Sequence, residues 1–178
     1  MRARIFRKLL KGLERHPLKI FSRIQLQLLL NVTARAFDRK GKQIWHLPYQ
    51  RALEEYEAFS ENAMRLSHAD PQRLYQKAYE LGSRIRQLTG FTDNSDLRQL
   101  IFFLYRNINI RMDGGIPGEI TVSSCYFSRF YTPEQCALMS YTDSGIMAGL
   151  WGGGHLHFTQ RITEGCEHCT AVFRRESP

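Results

Sequence analysis

This chain of 178 residues has no long apolar run in its basic N-terminal region. The longest stretch there without a charged residue covers positions 24–34, eleven residues, whereas a transmembrane helix needs about 20. Positions 1–15 are basic, but no apolar segment with a small-residue cleavage site follows them, so we expect no secretory signal peptide. The sequence therefore predicts a cytoplasmic protein.

Cysteine is also scarce, with four residues in the chain. That number is too small for a disulfide scaffold at this length, so we expect thiols that are free or bound to a metal. All four cysteines lie between Cys125 and Cys169, together with three of the six histidines. A reactive or ligand-binding site is therefore expected in positions 120–175.

Positive charge is confined to one end of the chain. The formal net charge is +8, yet positions 1–40 hold eleven Lys or Arg against two acids, and the remainder is close to neutral. We therefore predict a basic arm at 1–40 and one α+β domain at 41–178. A nucleic-acid partner is not expected, because the domain itself carries no basic excess.

The arm has the spacing of two amphipathic helices that meet near Pro17. Its apolar faces have alternative partners: the protein's own domain, a second subunit in a homodimer, an anionic membrane, or the groove of another protein. The last two would use positions 1–30 and would place the protein at the membrane periphery or on a partner. Burial against its own domain or a second subunit is the commoner fate of such helices.

The remaining chain predicts helices first and strands later. Hydrophobic residues make up 43% of the chain and aromatic residues 12%, which is typical of a globular protein. Helical periodicity continues from about Leu47 to Tyr105, with Asp70 and Pro71 as a helix start and Gly90 as a helix end. The prediction is an α+β fold: N-terminal helices, then a small antiparallel sheet with an inserted helix.

Alternating residues predict strands over 119–127, 155–162 and 169–174. Thr132 followed by Pro133 predicts the start of the inserted helix, and the last two strands are expected to pair as a hairpin.

Several residue types suited to chemistry share faces in this layout. Cys136, Ser140 and Asp143 are spaced four and three apart, which places them on one helix face. His155 and His157 point the same way from one strand, and Arg161 is predicted on the same side.

A metal site is the alternative interpretation of this cluster. Cys166, His168 and Cys169 form one CxxC half-site with a histidine inside it, and the sequence has no second CxxC. No cofactor is expected, and a transition metal on these three residues is the exception that the pattern allows.

The last third resembles the L-2-amino-thiazoline-4-carboxylic acid hydrolase family in the order of its motifs. The residues that carry the resemblance are Ser124-Cys125, Thr132-Pro133-Glu134-Gln135-Cys136, Met139-Ser140, Asp143, Gly149, Phe158, Arg161, Thr163-Glu164-Gly165, Cys169 and Phe173. Cys166 departs from the family's pattern. A more distant resemblance is to small-molecule-binding domains of the 4-vinyl reductase type.

The resemblance implies hydrolysis of a C–N bond in a small cyclic amidine of the thiazoline type. Asp143 is then the carboxylate beside the amidine or the general base, and Cys125 or Cys136 is the nucleophile. A helix N-terminus lowers a thiol pKa, which favours Cys136. His157 with His155 is the acid–base pair.

Substrate binding in this scheme falls to His155, Arg161 and Ser140, with Arg161 on a substrate carboxylate. The alternative function is a non-catalytic module that binds a small molecule or a metal and is tethered through the basic arm.

Overall fold

The computed structural model describes residues 2–15, 19–66 and 70–175. Within these ranges the chain forms six α-helices and four strands. The helices are α1 (Arg2–Arg15), α2 (Lys19–Ala36), α3 (Tyr49–Leu66), α4 (Pro71–Thr89), α5 (Asn94–Arg106) and α6 (Pro133–Trp151). The strands are β1 (Ile110–Gly114), β2 (Gly118–Cys125), β3 (His155–Gln160) and β4 (Cys169–Arg174). The predicted α+β class, with N-terminal helices before an antiparallel sheet, is confirmed.

Local hydrogen bonds set the ends of α4. The Asp70 carboxylate accepts a hydrogen bond from the backbone N–H of Gln72 at 2.9 Å, and Pro71 occupies the first helical position, where its missing N–H costs nothing. Gly90 ends the helix in the left-handed conformation, at φ 69°. Both predicted boundaries are therefore confirmed.

A reciprocal pair of hydrogen bonds begins α6. The backbone N–H of Gln135 donates to Thr132 Oγ1 at 3.3 Å, and the backbone N–H of Thr132 donates to Gln135 Oε1 at 3.0 Å. This capping box, with Pro133 at the first position, starts the helix where the sequence predicts it. These hydrogen bonds therefore fix the residue at which α6 begins, between strands β2 and β3 of the chain.

The sheet has the strand order β1-β2-β4-β3, with every pair antiparallel. The predicted hairpin of β3 and β4 is confirmed, and β4 also pairs with β2. Since α6 joins β2 to β3, the two strands that flank the helix in sequence are separated by β4 in the sheet. The helix is thus brought back against the sheet, where it contacts β3.

Strand β1 was not predicted, and β2 is shorter than predicted. Asp113 and Gly114 lie at the end of this strand, where they pair with Thr121 and Ile120 of β2. Strand β2 ends at Cys125 because the next residues form a 3₁₀ turn, Tyr126–Arg129. That turn packs the Phe127 ring against Tyr56 of α3, with ring centroids 5.6 Å apart.

Helices α4 and α6 pack with their backbones in direct contact. A Cβ atom on Gly145 would lie 2.3 Å from the carbonyl oxygen of Tyr75, and one on Gly149 would lie 2.3 Å from that of Tyr79. Gly82 makes the reciprocal approach to the α6 backbone. Only glycine permits this separation, so α6 is held close to α4 along two turns.

The N-terminal helices also belong to the packed structure. Leu26 and Leu30 of α2 are fully buried in the apolar cluster that includes Ile101. On α1, the guanidinium of Arg7 donates two hydrogen bonds to the buried carboxylate of Asp96, with Nε 2.6 Å from Oδ1. The division of the chain at residue 40 stays a prediction. Among the described helices, none has the length and apolar content required to cross a membrane.

The close approach of α4 and α6 makes Gly149→Ala a test of the packing. The added methyl group would meet backbone atoms of α4, which cannot rotate away, so we expect the free energy of unfolding to fall by about 1–3 kcal/mol. Gly12→Ala on α1 is the matched control, because nothing lies within 4 Å of a Cβ there and alanine favours the helix. Urea unfolding measures both. Equal stability of Gly149→Ala and the wild type would show that the two helices are not in backbone contact.

Candidate functional site

An apolar cavity of about 600 Å³ lies between helices α1, α2, α4, α5 and α6. We call it the inner cavity. Leucine, isoleucine and phenylalanine side chains form most of its lining. Its volume is within the range of pockets that hold small-molecule ligands, about 300–1,000 Å³. The fold therefore leaves room for a ligand of substantial size beside α6.

Three of the predicted site residues line the inner cavity: Cys125, Cys136 and Asp143. They come from the end of β2, the first turn of α6 and the middle of α6. Tyr105, at the end of α5, lines the same cavity and donates a hydrogen bond from its hydroxyl to Asp143 Oδ1 at 2.5 Å. The structure thus brings one carboxylate, two thiols and a phenol together on an otherwise apolar wall.

Burial raises the pKa of Asp143 to about 6. The hydrogen bond from Tyr105 and the positive charge of Arg161 act in the opposite direction and limit the rise. Asp143 keeps a small accessible surface, and because it lines the cavity, that surface faces the cavity. At neutral pH it is an anion with little solvent around it, which makes it the strongest attraction for a cation in the inner cavity.

The two cavity thiols are poor nucleophiles in this environment. Burial raises the pKa of Cys125 to about 12, and it also raises the pKa of Cys136. The expectation that the helix N-terminus lowers the pKa of Cys136 is therefore wrong, because desolvation is the dominant effect on this thiol and raises its pKa. Both cysteines are protonated at neutral pH.

The other predicted residues lie in a different place, which we call the outer cleft. Ser140, His155, His157 and Arg161 line this opening of about 560 Å³ on the β3 side of α6. His155 and His157 are both exposed on one side of β3, as predicted. The Ser140 hydroxyl donates a hydrogen bond to the carbonyl oxygen of Cys136, one turn earlier in its own helix, at 2.8 Å. Helix α6 thus contributes to both sites.

Arg161 departs from the predicted alternation. Pairing of β3 with β4 is irregular between Phe158 and Gln160, and the strand ends there. The guanidinium carbon of Arg161 lies 4.9 Å from the centre of the Phe158 ring, which the alternation placed on the opposite side. Its Nη1 also donates to Glu164 at 3.2 Å. Arg161 therefore lines the outer cleft while its charge still acts on Asp143.

Sequence patterns did not indicate several polar groups that line the inner cavity. Besides Tyr105, these are Gln25 on α2, Asn107 after α5 and Thr142 on α6. Within the described residues, Gln25 Oε1, Asn107 Nδ2 and Thr142 Oγ1 are buried without a hydrogen-bond partner. Unpaired buried polar atoms are costly in a folded protein, and a bound ligand can satisfy them. Gln25, Asn107 and Thr142 belong to no catalytic or metal-binding motif, so no sequence pattern indicated them.

The residues of the alternative metal site do not converge on a metal-binding geometry in the described part of the chain. Cys169 is buried, and its Sγ accepts a hydrogen bond from the backbone N–H of Ile162 at 3.3 Å. Cys166 is a free, partly buried thiol, and His168 is also partly buried. These three residues line neither the inner cavity nor the outer cleft.

No protein-family model matches this chain, and no curated protein matches it. The resemblance of its last third to the thiazoline hydrolase family therefore stays an expectation. The inner cavity and the outer cleft are the features of this chain that bear on its function.

Replacing Asp143 with Asn tests the raised pKa through stability. In the folded protein this carboxyl binds its proton more tightly than in the unfolded chain, so stability from this group is present at low pH and is lost as pH rises through about 6. A rise of about two pKa units corresponds to about 3 kcal/mol. We expect Asp143→Asn to gain up to that amount relative to the wild type between pH 4 and 7.

Chemical denaturation at several pH values measures this difference. Asp113→Asn, which removes an exposed carboxylate from β1, is the control for a surface charge. A stability difference between Asp143→Asn and the wild type that does not change with pH would contradict the raised pKa.

Proposed function

We propose that the protein is a hydrolase-like enzyme that opens a C–N bond of a small cyclic amidine in the inner cavity. The observation that carries the proposal is Asp143, a carboxylate with a pKa of about 6 on an apolar cavity wall. A base of that pKa can accept a proton from water and return it near neutral pH. Perturbed carboxylates in cavities are typical of catalytic sites.

A cyclic amidine fits the charges of the inner cavity. Its protonated form is a flat cation with N–H donors, and Asp143 supplies the opposite charge with little competition from water. Gln25 and Thr142 line the same cavity, and each has a buried side-chain oxygen without a hydrogen-bond partner in the described structure. Binding of the cation would in turn lower the pKa of Asp143 and keep it ionised.

Because both cavity thiols are protonated, the proposed reaction uses water as the nucleophile and Asp143 as the general base. Asp143 takes a proton from a water molecule while the water oxygen forms a bond to the amidine carbon. The bond from that carbon to the ring nitrogen then breaks, and Asp143 returns the proton to the departing nitrogen. The ring carbon becomes a carbonyl as its hydroxyl proton passes to the released amine, which leaves as an ammonium group, with one water consumed. Tyr105 positions Asp143 through its hydrogen bond.

The lining of the inner cavity narrows the substrate class. Among the described residues, no Lys, Arg or His side chain lines it, and its walls are largely aliphatic and aromatic. A substrate carboxylate would have no cation to pair with there and would face Asp143. The cavity therefore favours an amidine with an apolar substituent over L-2-amino-thiazoline-4-carboxylate.

The free thiols are consistent with a reducing, cytoplasmic setting.

A non-catalytic small-molecule-binding module is the second candidate. The specific observation in its favour is that Asp143 is the one charged group among the described residues that line the inner cavity, and a single carboxylate is sufficient to hold a cation. A protein of this kind would hold the same amidine cation on Asp143 and release it unchanged. Tight binding without turnover distinguishes it from the enzyme.

Hydrolysis can be measured as the gain of one water by mass spectrometry. The substrates are 2-amino-2-thiazoline, an alkyl-substituted form of it, and L-2-amino-thiazoline-4-carboxylate. We expect the highest kcat/KM for the alkyl form, and activity that rises with pH through about 6. Asp143→Asn should lower kcat by about 10²–10⁴-fold, because the general base is removed. Tyr105→Phe should move the midpoint of the pH profile upward, because a hydrogen bond that lowers the pKa is lost.

Cys136→Ser and His157→Gln are the matched controls. Cys136 lies in the inner cavity as a protonated thiol, and His157 lies in the outer cleft, so both variants should keep activity within a few-fold. Loss of activity in Cys136→Ser comparable with that in Asp143→Asn would contradict water activation and support a thiol nucleophile. If all three amidines bind the wild type and none is hydrolysed, the binding module is correct.

A further inference from the structure

Exposed apolar side chains are concentrated around the mouth of the inner cavity. Of the eight large hydrophobic residues that are exposed in the described chain, six lie on α1, α2 or the last turn of α4. Four of the six, namely Leu9, Phe21, Ile24 and Leu88, also line the cavity. Leu88 is 66% exposed and Leu9 53%. The cavity therefore reaches the surface between these three helices, at an apolar patch.

The sequence of the two N-terminal helices is also basic. Positions 1–24 contain eight Lys or Arg residues and a single acid, Glu14. Arg4, Lys8 and Lys19 are exposed beside the apolar residues of α1 and α2. We call this combination of exposed apolar and basic side chains on α1, α2 and the end of α4 the mouth surface.

We propose that the mouth surface docks on an anionic phospholipid bilayer, with its apolar side chains in the hydrocarbon and the cavity open toward the lipid. Basic residues beside an apolar helix face are the features that hold amphipathic helices at such an interface. The lipid phosphates match the charge, and the acyl chains cover Ile5, Leu9 and Phe21, which otherwise face water. This inference does not depend on what the cavity does with its ligand.

Other occupants match the mouth surface less well. In a two-fold dimer built on this face, each basic helix would meet the same basic helix of the second copy. A nucleic acid would pair with the charges but would leave the six apolar side chains uncovered. A bilayer satisfies both features at once.

The docking also gives an apolar ligand a route into the protein. Helix α1 contributes Phe6, Leu9 and Leu10 to the cavity wall, and Arg7 fixes the helix to Asp96 of α5. A ligand dissolved in the bilayer could therefore enter between α1, α2 and α4 without crossing water. Such delivery suits a cavity whose walls are almost entirely apolar.

Vesicle flotation of the full chain tests the docking. We expect the wild type to float with vesicles of phosphatidylcholine and phosphatidylserine, and not with phosphatidylcholine alone. The double variant Ile5→Gln/Leu9→Gln removes apolar side chains that insert into the hydrocarbon, and the double variant Arg4→Glu/Lys8→Glu removes the attraction to anionic lipid. Each should weaken binding by about tenfold or more. Trp45→Gln and Arg65→Glu are matched exposed controls outside the mouth surface and should bind like the wild type.

Fluorescence quenching tests whether the mouth of the inner cavity lies against the lipid acyl chains. In Phe21→Trp, the new indole should be quenched by lipids with brominated acyl chains, and the quenching should exceed that of the native Trp45 and Trp151. Binding that is lost only with the charge variant, or no quenching at position 21, would overturn the proposal. A wild type that sediments as a dimer and becomes monomeric in Ile5→Gln with Leu9→Gln would also overturn it, because a second copy then covers the patch.

Discussion

The close approach of α4 and α6 is the constraint on which the rest of the structure depends. Gly145 and Gly149 bring the two backbones into contact, and no larger residue could occupy these positions without moving the helices apart. Helix α6 is then enclosed by α4 on one side, the sheet on another and the inner cavity on a third. Every residue from 144 to 151 is buried as a result. The position of α6 decides which of its polar side chains reach the cavity.

Asp143 is the residue that this arrangement places in an unfavourable environment. The desolvation of its carboxylate opposes folding. A domain usually has a free energy of unfolding of about 5–15 kcal/mol, so this cost is a sizeable part of the total. Tyr105 and Arg161 offset only part of that cost. A hydrophobic residue at position 143 would pack against the cavity wall without this desolvation cost. Groups that reduce stability in this way are typical of functional sites, which is the reason that Asp143 carries the functional proposal.

Local signals in the sequence predicted much of the fold. The caps at Asp70 and Thr132, the terminator at Gly90 and the hairpin of β3 and β4 depend on a few neighbouring residues, and all four are confirmed. Strand β1 was not predicted, because its five residues include Arg111, Asp113 and Gly114 and it is extended through its pairing with β2. The arm's burial also depends on tertiary contacts that spacing does not show.

The site was predicted in part for the same reason. Helical spacing put Cys136, Ser140 and Asp143 on one face, but Ser140 is about 60° around the helix from Asp143, and that offset places it in the outer cleft. Tyr105 lies 38 residues from Asp143 in sequence, so their hydrogen bond exists only in the folded protein. The histidines of β3 were placed on one strand face correctly, but the sequence could not say that α6 lies between them and the cavity.

Proton release on ligand binding tests the central claim, that Asp143 holds the cationic head of the ligand in the inner cavity. Calorimetric titration of 2-amino-2-thiazoline at pH 5.5, in buffers of different ionisation enthalpy, counts the protons released. With a pKa of about 6, Asp143 is about three-quarters protonated there, and a bound cation should expel up to that fraction of a proton per ligand. Asp143→Asn should release none. Absence of proton release from the wild type, or equal release from Asp143→Asn, would contradict the account.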